Sequence, residues 1–117
     1  MSVGDRLLVG EVILEVTAPR QPCNTLAARM GDPYFVKRYR AAERPGLYCR
    51  VIKAGWIQAG DRVNLVPYTG ETVSILEMFR DYYESELCET TLHRYLAAPI
   101  AVRARREKEA QLQRLLE

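Results

Sequence analysis

One short run, Pro19-Arg20-Gln21-Pro22-Cys23, brings a thiol, a guanidinium and two ring-restricted residues together. Cys23 is the main candidate for chemistry. A cation three residues away and a helix starting just after the thiol both favour thiolate, the form that binds metals and attacks electrophiles. Soft thiolate suits a soft or high-valent transition metal. The prolines limit the loop's conformations, so the sulfur can be held with little entropy to lose. The structural alternative is a small buried hydrophobe in a turn. Cys49 alternates with Leu47 and Val51 in an apolar run, so it reads as core packing. Cys88 falls in the first turn of an expected helix with no cationic partner nearby in sequence, and a structural role is expected.

The remaining chemistry-bearing residues point away from common sites. His93 is the single histidine, so a multi-histidine zinc site is excluded, and no CxxC spacing is present. His93 reads as solvent-facing. Gly-rich phosphate loops, HExxH and GxSxG are all missing. The basic run Lys37-Arg38-Tyr39-Arg40 can contact an anion, but a solvated helix face explains it equally. The tyrosines are scattered and form no stacking platform for a single strand.

Charge and composition bound the partners. The net charge is +2 in 117 residues, too small to suggest a nucleic-acid polymer. Up to Val66 there are ten basic and six acidic residues; from Pro67 on there are seven and nine. An anionic small molecule is therefore favoured by the first half. No apolar run approaches the roughly 18 residues of a membrane span. The N-terminus lacks the features of a signal peptide. An odd set of three cysteines fits a reducing compartment, and the cytoplasm is expected.

The elements that must position Cys23 follow from periodicity. Leu7 to Thr17 reads as a strand with Gly10 as a turn or bulge, stopping at Pro19. A helix is expected from an Asn24 cap to Met30, closed by Gly31. A second runs from Pro33 to Ala42. Strands follow at Leu47 to Lys53 and Val63 to Val66. After Gly70 the period lengthens to about 3.6, with caps expected at Thr72 and Ser85 and a third helix opening at Pro99. Val73, Leu76, Phe79 and Tyr83 share a face of the first of these. In the last helix, Arg103–Glu107 and Arg105–Glu109 have i,i+4 spacing. The fold class is α+β, with a β-rich unit over 1–68 and a three-helix unit over 69–117.

Several segments, in order, resemble the MOSC family, the molybdenum cofactor sulfurase C-terminal domain, and within it the YiiM-like branch. They are Val3-Gly4-Asp5-Arg6 leading into Leu14-Glu15-Val16-Thr17, the Pro19 to Cys23 loop, Arg44-Pro45-Gly46-Leu47-Tyr48-Cys49-Arg50-Val51, and Ala59-Gly60-Asp61-Arg62-Val63. The segment from Gly70 resembles the small three-helix domain that follows the barrel in that branch. The resemblance implies part of a β-barrel that handles molybdenum cofactor (molybdopterin). Cys23 matches the position of a molybdenum ligand, and Arg20 and Arg50 are expected to help bind the anionic pterin. Molybdenum ion and pyridoxal phosphate binding are both among its implications.

The activity implied is reduction of N-hydroxylated compounds, with electrons from a separate reductase, since no flavin, nicotinamide or iron–sulfur motif is visible. Two alternatives stand beside it: a sulfur carrier with a Cys23 persulfide, and a truncated, non-catalytic interaction module. The family's full domain carries a long segment before the Val3-Gly4-Asp5-Arg6 element, with several strands and cofactor-enclosing motifs. The chain starts at Met1 where that segment should end, so a fragment, a truncated gene product or half of a split protein is expected. The incomplete barrel is then expected to be covered by a second copy or a partner chain.

Overall fold

A computed structural model describes residues 1–70, 72–82 and 87–117. Strands β1 (Arg6–Val9) and β2 (Val12–Pro19) form a hairpin through Gly10, which takes the left-handed φ of 59° that a tight turn needs. Helices α1 (Asn24–Met30) and α2 (Phe35–Ala42) follow. Strands β3 (Leu47–Lys53) and β4 (Val63–Val66) then flank the hairpin in a four-stranded antiparallel sheet, order β3-β2-β1-β4. Beyond Val66 come α3 (Ile75–Asp81), α4 (Glu89–Ala97) and α5 (Val102–Leu116). The architecture is α+β, and the sheet does not close on itself. None of the described helices is long and apolar enough to cross a membrane.

Sheet and helices share one core. Val3, Val16 and Ala18 pack with Val73, Ile75 and Met78, and with Tyr95, Ala98 and Ile100 from the end of α4 and the turn beyond it. Backbone bonds stitch the two parts: Val3 N–H to Val73 C=O at 2.8 Å, Ile75 N–H to Met1 C=O at 2.9 Å, and Ala101 N–H to Thr17 C=O at 3.2 Å. The buried Asp5 carboxylate accepts from the Ser2 and Tyr68 amides, each at 2.9 Å. It thereby fixes the chain's entry beside its exit from β4.

Glu15 ties three strands together. It pairs across the sheet with Arg6 on β1 and Arg50 on β3. Its carboxylate is 3.2 Å from the Arg6 guanidinium and 2.9 Å from that of Arg50. Arg50 also reaches the Ile100 carbonyl at 3.4 Å. One carboxylate thus bridges two cations, and through Arg50 the sheet is linked to the turn before α5. Register shifts on β2 and β3 bracket this pairing; at the second, Thr17 is the extra residue. Its hydroxyl donates to the Tyr48 carbonyl at 3.1 Å, so the bulge is itself bonded.

Local capping differs from expectation at several ends. Ser74, not Thr72, caps α3, its hydroxyl accepting from Glu77 N–H at 3.0 Å. Ser74 and Glu77 stand in S-x-x-E spacing, but the Glu77 carboxylate turns outward to Arg94 on α4. That hydrogen bond holds the Glu77 carboxyl below the usual range. Helix α2 starts at Phe35, two residues after Pro33, and α5 starts at Val102 with Pro99 left in the preceding turn. Arg105 does not pair with Glu109. Its guanidinium donates to the Leu96 and Ala98 carbonyls at 2.9 and 2.8 Å, where the helix α4 ends and its last carbonyls lack intrahelical donors; the Ala98 carbonyl also accepts from Ile100 N–H at 2.8 Å. Arg103 does pair with Glu107, at 3.9 Å. The Ser85 cap and the inward placing of Tyr83 lie outside the described residues. Val51, expected inside, is 61% exposed.

Replacing Glu15 by Gln leaves two guanidiniums facing a neutral amide. With both arginines half-exposed, the expected loss is about 1–3 kcal/mol. Urea unfolding checks this, and an unchanged midpoint would show that the ladder of charges is not structural.

Candidate functional site

The loop after β2 is anchored by its prolines and presents what lies between them. Pro19 and Pro22 are buried, whereas Arg20 and Cys23 are exposed. The Arg20 backbone is held on both sides: its N–H donates to the Gly46 carbonyl at 2.8 Å, and its carbonyl accepts from the Tyr39 hydroxyl at 3.1 Å. The same hydroxyl accepts from the Gly46 amide at 3.1 Å. Tyr39 therefore bridges the loop to the turn before β3. Its ring is positioned between Phe35 and Phe79, with centroids 6.1 Å away in each case. Tyr39 had been read only as part of a basic run. A phenol at the centre of a loop contact leaves no trace in sequence spacing.

Cys23 occupies the cap position of α1, one residue before the expected Asn24, in extended backbone with φ −141°. Its side chain makes no cap bond, which leaves the sulfur free to face outward. It lines a cleft of about 390 Å³ between the proline loop and α5, together with Gln21, Tyr48, Met78, Tyr82 and Lys108. Arg103 and Glu107 of α5 stand on the same wall.

Of the expected binding residues, neither Arg20 nor Arg50 lines this cleft. Arg50 is committed to Glu15 and Ile100. Lys108 and Gln21 are the polar groups that sequence reasoning passed over. Lys108 looks like one more charge on a solvated helix, yet it is 6% exposed. Its ammonium lies 5.1 Å from the Tyr95 ring centroid. Burial pulls its pKa below the ordinary lysine value. The Gln21 amide oxygen is buried without a hydrogen-bond partner among the described residues.

The other two cysteines differ from Cys23 and from each other. Cys49 is half-buried against the core, as expected, and burial pushes its thiol pKa up. Cys88 is not structural packing. It is exposed, caps α4, and its sulfur is 3.1 Å from the Thr91 hydroxyl in a hydrogen bond that lowers its pKa. His93 faces solvent and sits 3.3 Å from Glu89 one turn earlier. No group of three or more metal-ligating side chains exists among the described residues.

An open four-stranded antiparallel sheet backed by three helices, with an exposed loop cysteine beside a cleft, defines a partial barrel. The MOSC domain family model matches residues 1–64. The chain belongs to the MOSC domain family. Its fold is similar to the crystal structure of YiiM from Geobacillus stearothermophilus, with a TM-score of 0.86 at 25% identity over 96% of this chain and 58% of that one. It is similar also to YiiM from Escherichia coli, with a TM-score of 0.85 at 21% identity over 97% and 57% of the respective chains. In sequence it resembles the uncharacterized protein YflK of Bacillus subtilis, 27% identical over 95 residues, covering 81% of this chain and 43% of YflK. A protein of Gibberella moniliformis named "Reductase" is 37% identical over 79 residues, 67% of this chain and 14% of its own length. The chain thus spans less than two thirds of the length of each of these relatives.

Exposure and thiol acidity rank the cysteines. Under a small alkylating reagent at neutral pH, Cys88 and Cys23 should be modified and Cys49 protected, with Cys88 the faster where its thiolate fraction decides. Adduct mapping by mass spectrometry reads this. Ready labelling of Cys49 with Cys23 untouched would contradict the placing of the loop.

Proposed function

We propose that this chain binds molybdenum cofactor through Cys23 and takes part in the reduction of N-hydroxylated compounds. The observation that carries the reading is the exposed Cys23 thiol on a proline-anchored loop at the mouth of a cleft. The residues present suit the group. Cys23 supplies the soft donor that molybdenum accepts. Lys108 and Arg103 put positive charge on the opposite wall, where an anionic pterin benefits. The unmet Gln21 oxygen can accept an N–H from the pterin ring. When bound, the cofactor supplies two-electron redox chemistry at the metal. The chain's own residues hold the ligand sulfur in place, neutralise anionic charge and exclude water with Pro22, Met78 and Ala104. Electrons come from a separate reductase. Pyridoxal phosphate, also anticipated from the family, is an anion that the same lysine-bearing wall attracts.

The test is metal content. Expressed in a host that makes molybdenum cofactor, the purified protein should carry molybdenum, and Cys23→Ser should lose most of it. A wild-type protein without molybdenum, or a variant that retains it in full, would refute the assignment.

A second copy of the chain covers the open side of the sheet. The observation favouring this is a run of exposed apolar residues on and between β3 and β4. Val51, Ile57 and Val63 are more than half exposed and Trp56 is 91% exposed. Among the described residues the end strands β3 and β4 are also the sheet's two edges, each with one side unpaired by another strand. A second copy is the simplest cover for such edges and such a face. Light scattering across a dilution series should report a dimer at low micromolar concentration. A monomer whose β2 and β3 amides are strongly protected from hydrogen exchange would show that the sheet needs no cover.

A further inference from the structure

Lys108 and Gln21 face the same cleft from different elements, and each lacks the partner its chemistry calls for. Lys108 lies on α5 and Gln21 on the loop after β2. Lys108 makes no ion pair with a described carboxylate. Glu107, its neighbour in sequence, is paired with the exposed Arg103. The carboxylate of Asp81 receives the Tyr95 hydroxyl at 2.6 Å. The Lys108 ammonium has the face of the Tyr95 ring and the attraction of Glu107 and Asp81 from beyond ion-pair distance, and burial still outweighs these. A π face returns only part of what a buried cation loses in leaving water. A buried lysine in that position is kept charged most readily by an anion that arrives from outside. The Gln21 oxygen, buried and unpartnered, similarly needs a donor. The cleft between them is lined by Pro22, Met78 and Ala104 and flanked by Tyr48 and Tyr82. Its size, about 390 Å³, is that of a small-molecule site.

We infer that this cleft is a subsite for a small organic anion, whose carboxylate or phosphate pairs with Lys108 and whose N–H or O–H group is accepted by Gln21. Its ligand class is therefore a flat or compact apolar body carrying an acid at one end and a hydrogen-bond donor at the other. The inference names what the Cys23 cleft receives and takes its location from that reading. It does not need the metal, so the experiment is run on metal-free protein, where a failure to bind the anion is read separately from a failure to carry molybdenum.

The probes are 4-hydroxybenzoate and 4-hydroxyphenyl phosphate, titrated into the full chain by calorimetry and by amide chemical-shift mapping. The neutral control is 4-hydroxybenzamide. The expected result is saturable binding of at least one anion, with shifts centred on Gln21 to Cys23 and on α5. Whichever anion binds more tightly identifies the acid as carboxylate or phosphate. The amide should bind about tenfold or more weakly, because it brings Lys108 no counter-charge at contact distance. Lys108→Met, which keeps the stem and removes the charge, should weaken the anion by a similar factor while leaving the unfolding midpoint equal or higher. Gln21→Leu, on the opposite wall, should weaken it severalfold and guards against a folding artefact in the first variant. Equal affinity for anion and amide, undiminished binding in Lys108→Met, or no saturable binding of either anion would each overturn the inference.

Discussion

A single buried carboxylate holds the molecule in register. Glu15 lies between Arg6 and Arg50, with its charge neutralised from both sides. In a sheet only four strands wide, a slip of one residue would carry every side chain to the other face. It would also leave Glu15 buried without a cation, a far larger cost than any one apolar contact. The arrangement therefore selects one pairing of β1, β2 and β3. The further bond from Arg50 to Ile100 extends that selection to the turn leading into α5. The cleft beside Cys23 inherits its shape from this chain of contacts, since one wall follows β2 and the other is α5.

The strands were legible in the sequence because their signals were local. Val63 to Val66 and Leu47 to Lys53 stand between glycine-bearing turns, and the structure reproduces both ranges. The α1 segment was legible for the same reason: Gly31 closes it in left-handed backbone. Helix starts were less so. Thr72 and Ser74 are both competent caps, and which one serves depends on where the Ser2–Ser74 bridge fixes the chain. That is a contact across more than seventy residues. Arg105 departs from expectation because i,i+4 spacing offers Glu109 as a partner, whereas the carbonyls of Leu96 and Ala98 at the end of α4 offer two acceptors at once.

The site divides in the same way. Cys23 is visible from its prolines and from the family resemblance, both carried by adjacent residues. Lys108 is invisible, because burial of a charge is decided by what packs over it. Periodicity put it on a helix with acidic and basic neighbours, the pattern of a solvated face. Only the approach of α5 to the proline loop gives the lysine its setting. Arg50 shows the converse. It was grouped with the site for its charge, and the fold uses that charge to secure Glu15.

Tyr39 meets two demands at once. Its hydroxyl must both give a proton to Arg20 and take one from Gly46, while its ring must fit between Phe35 and Phe79. Phenylalanine satisfies the second demand and fails the first; histidine can offer both kinds of polar atom but on a smaller ring. Few replacements answer to both. Such a position is expected to drift little over evolutionary time even though it lies partly at the surface. Lineages that alter it are under pressure to change the proline loop with it, so the two segments are expected to vary together.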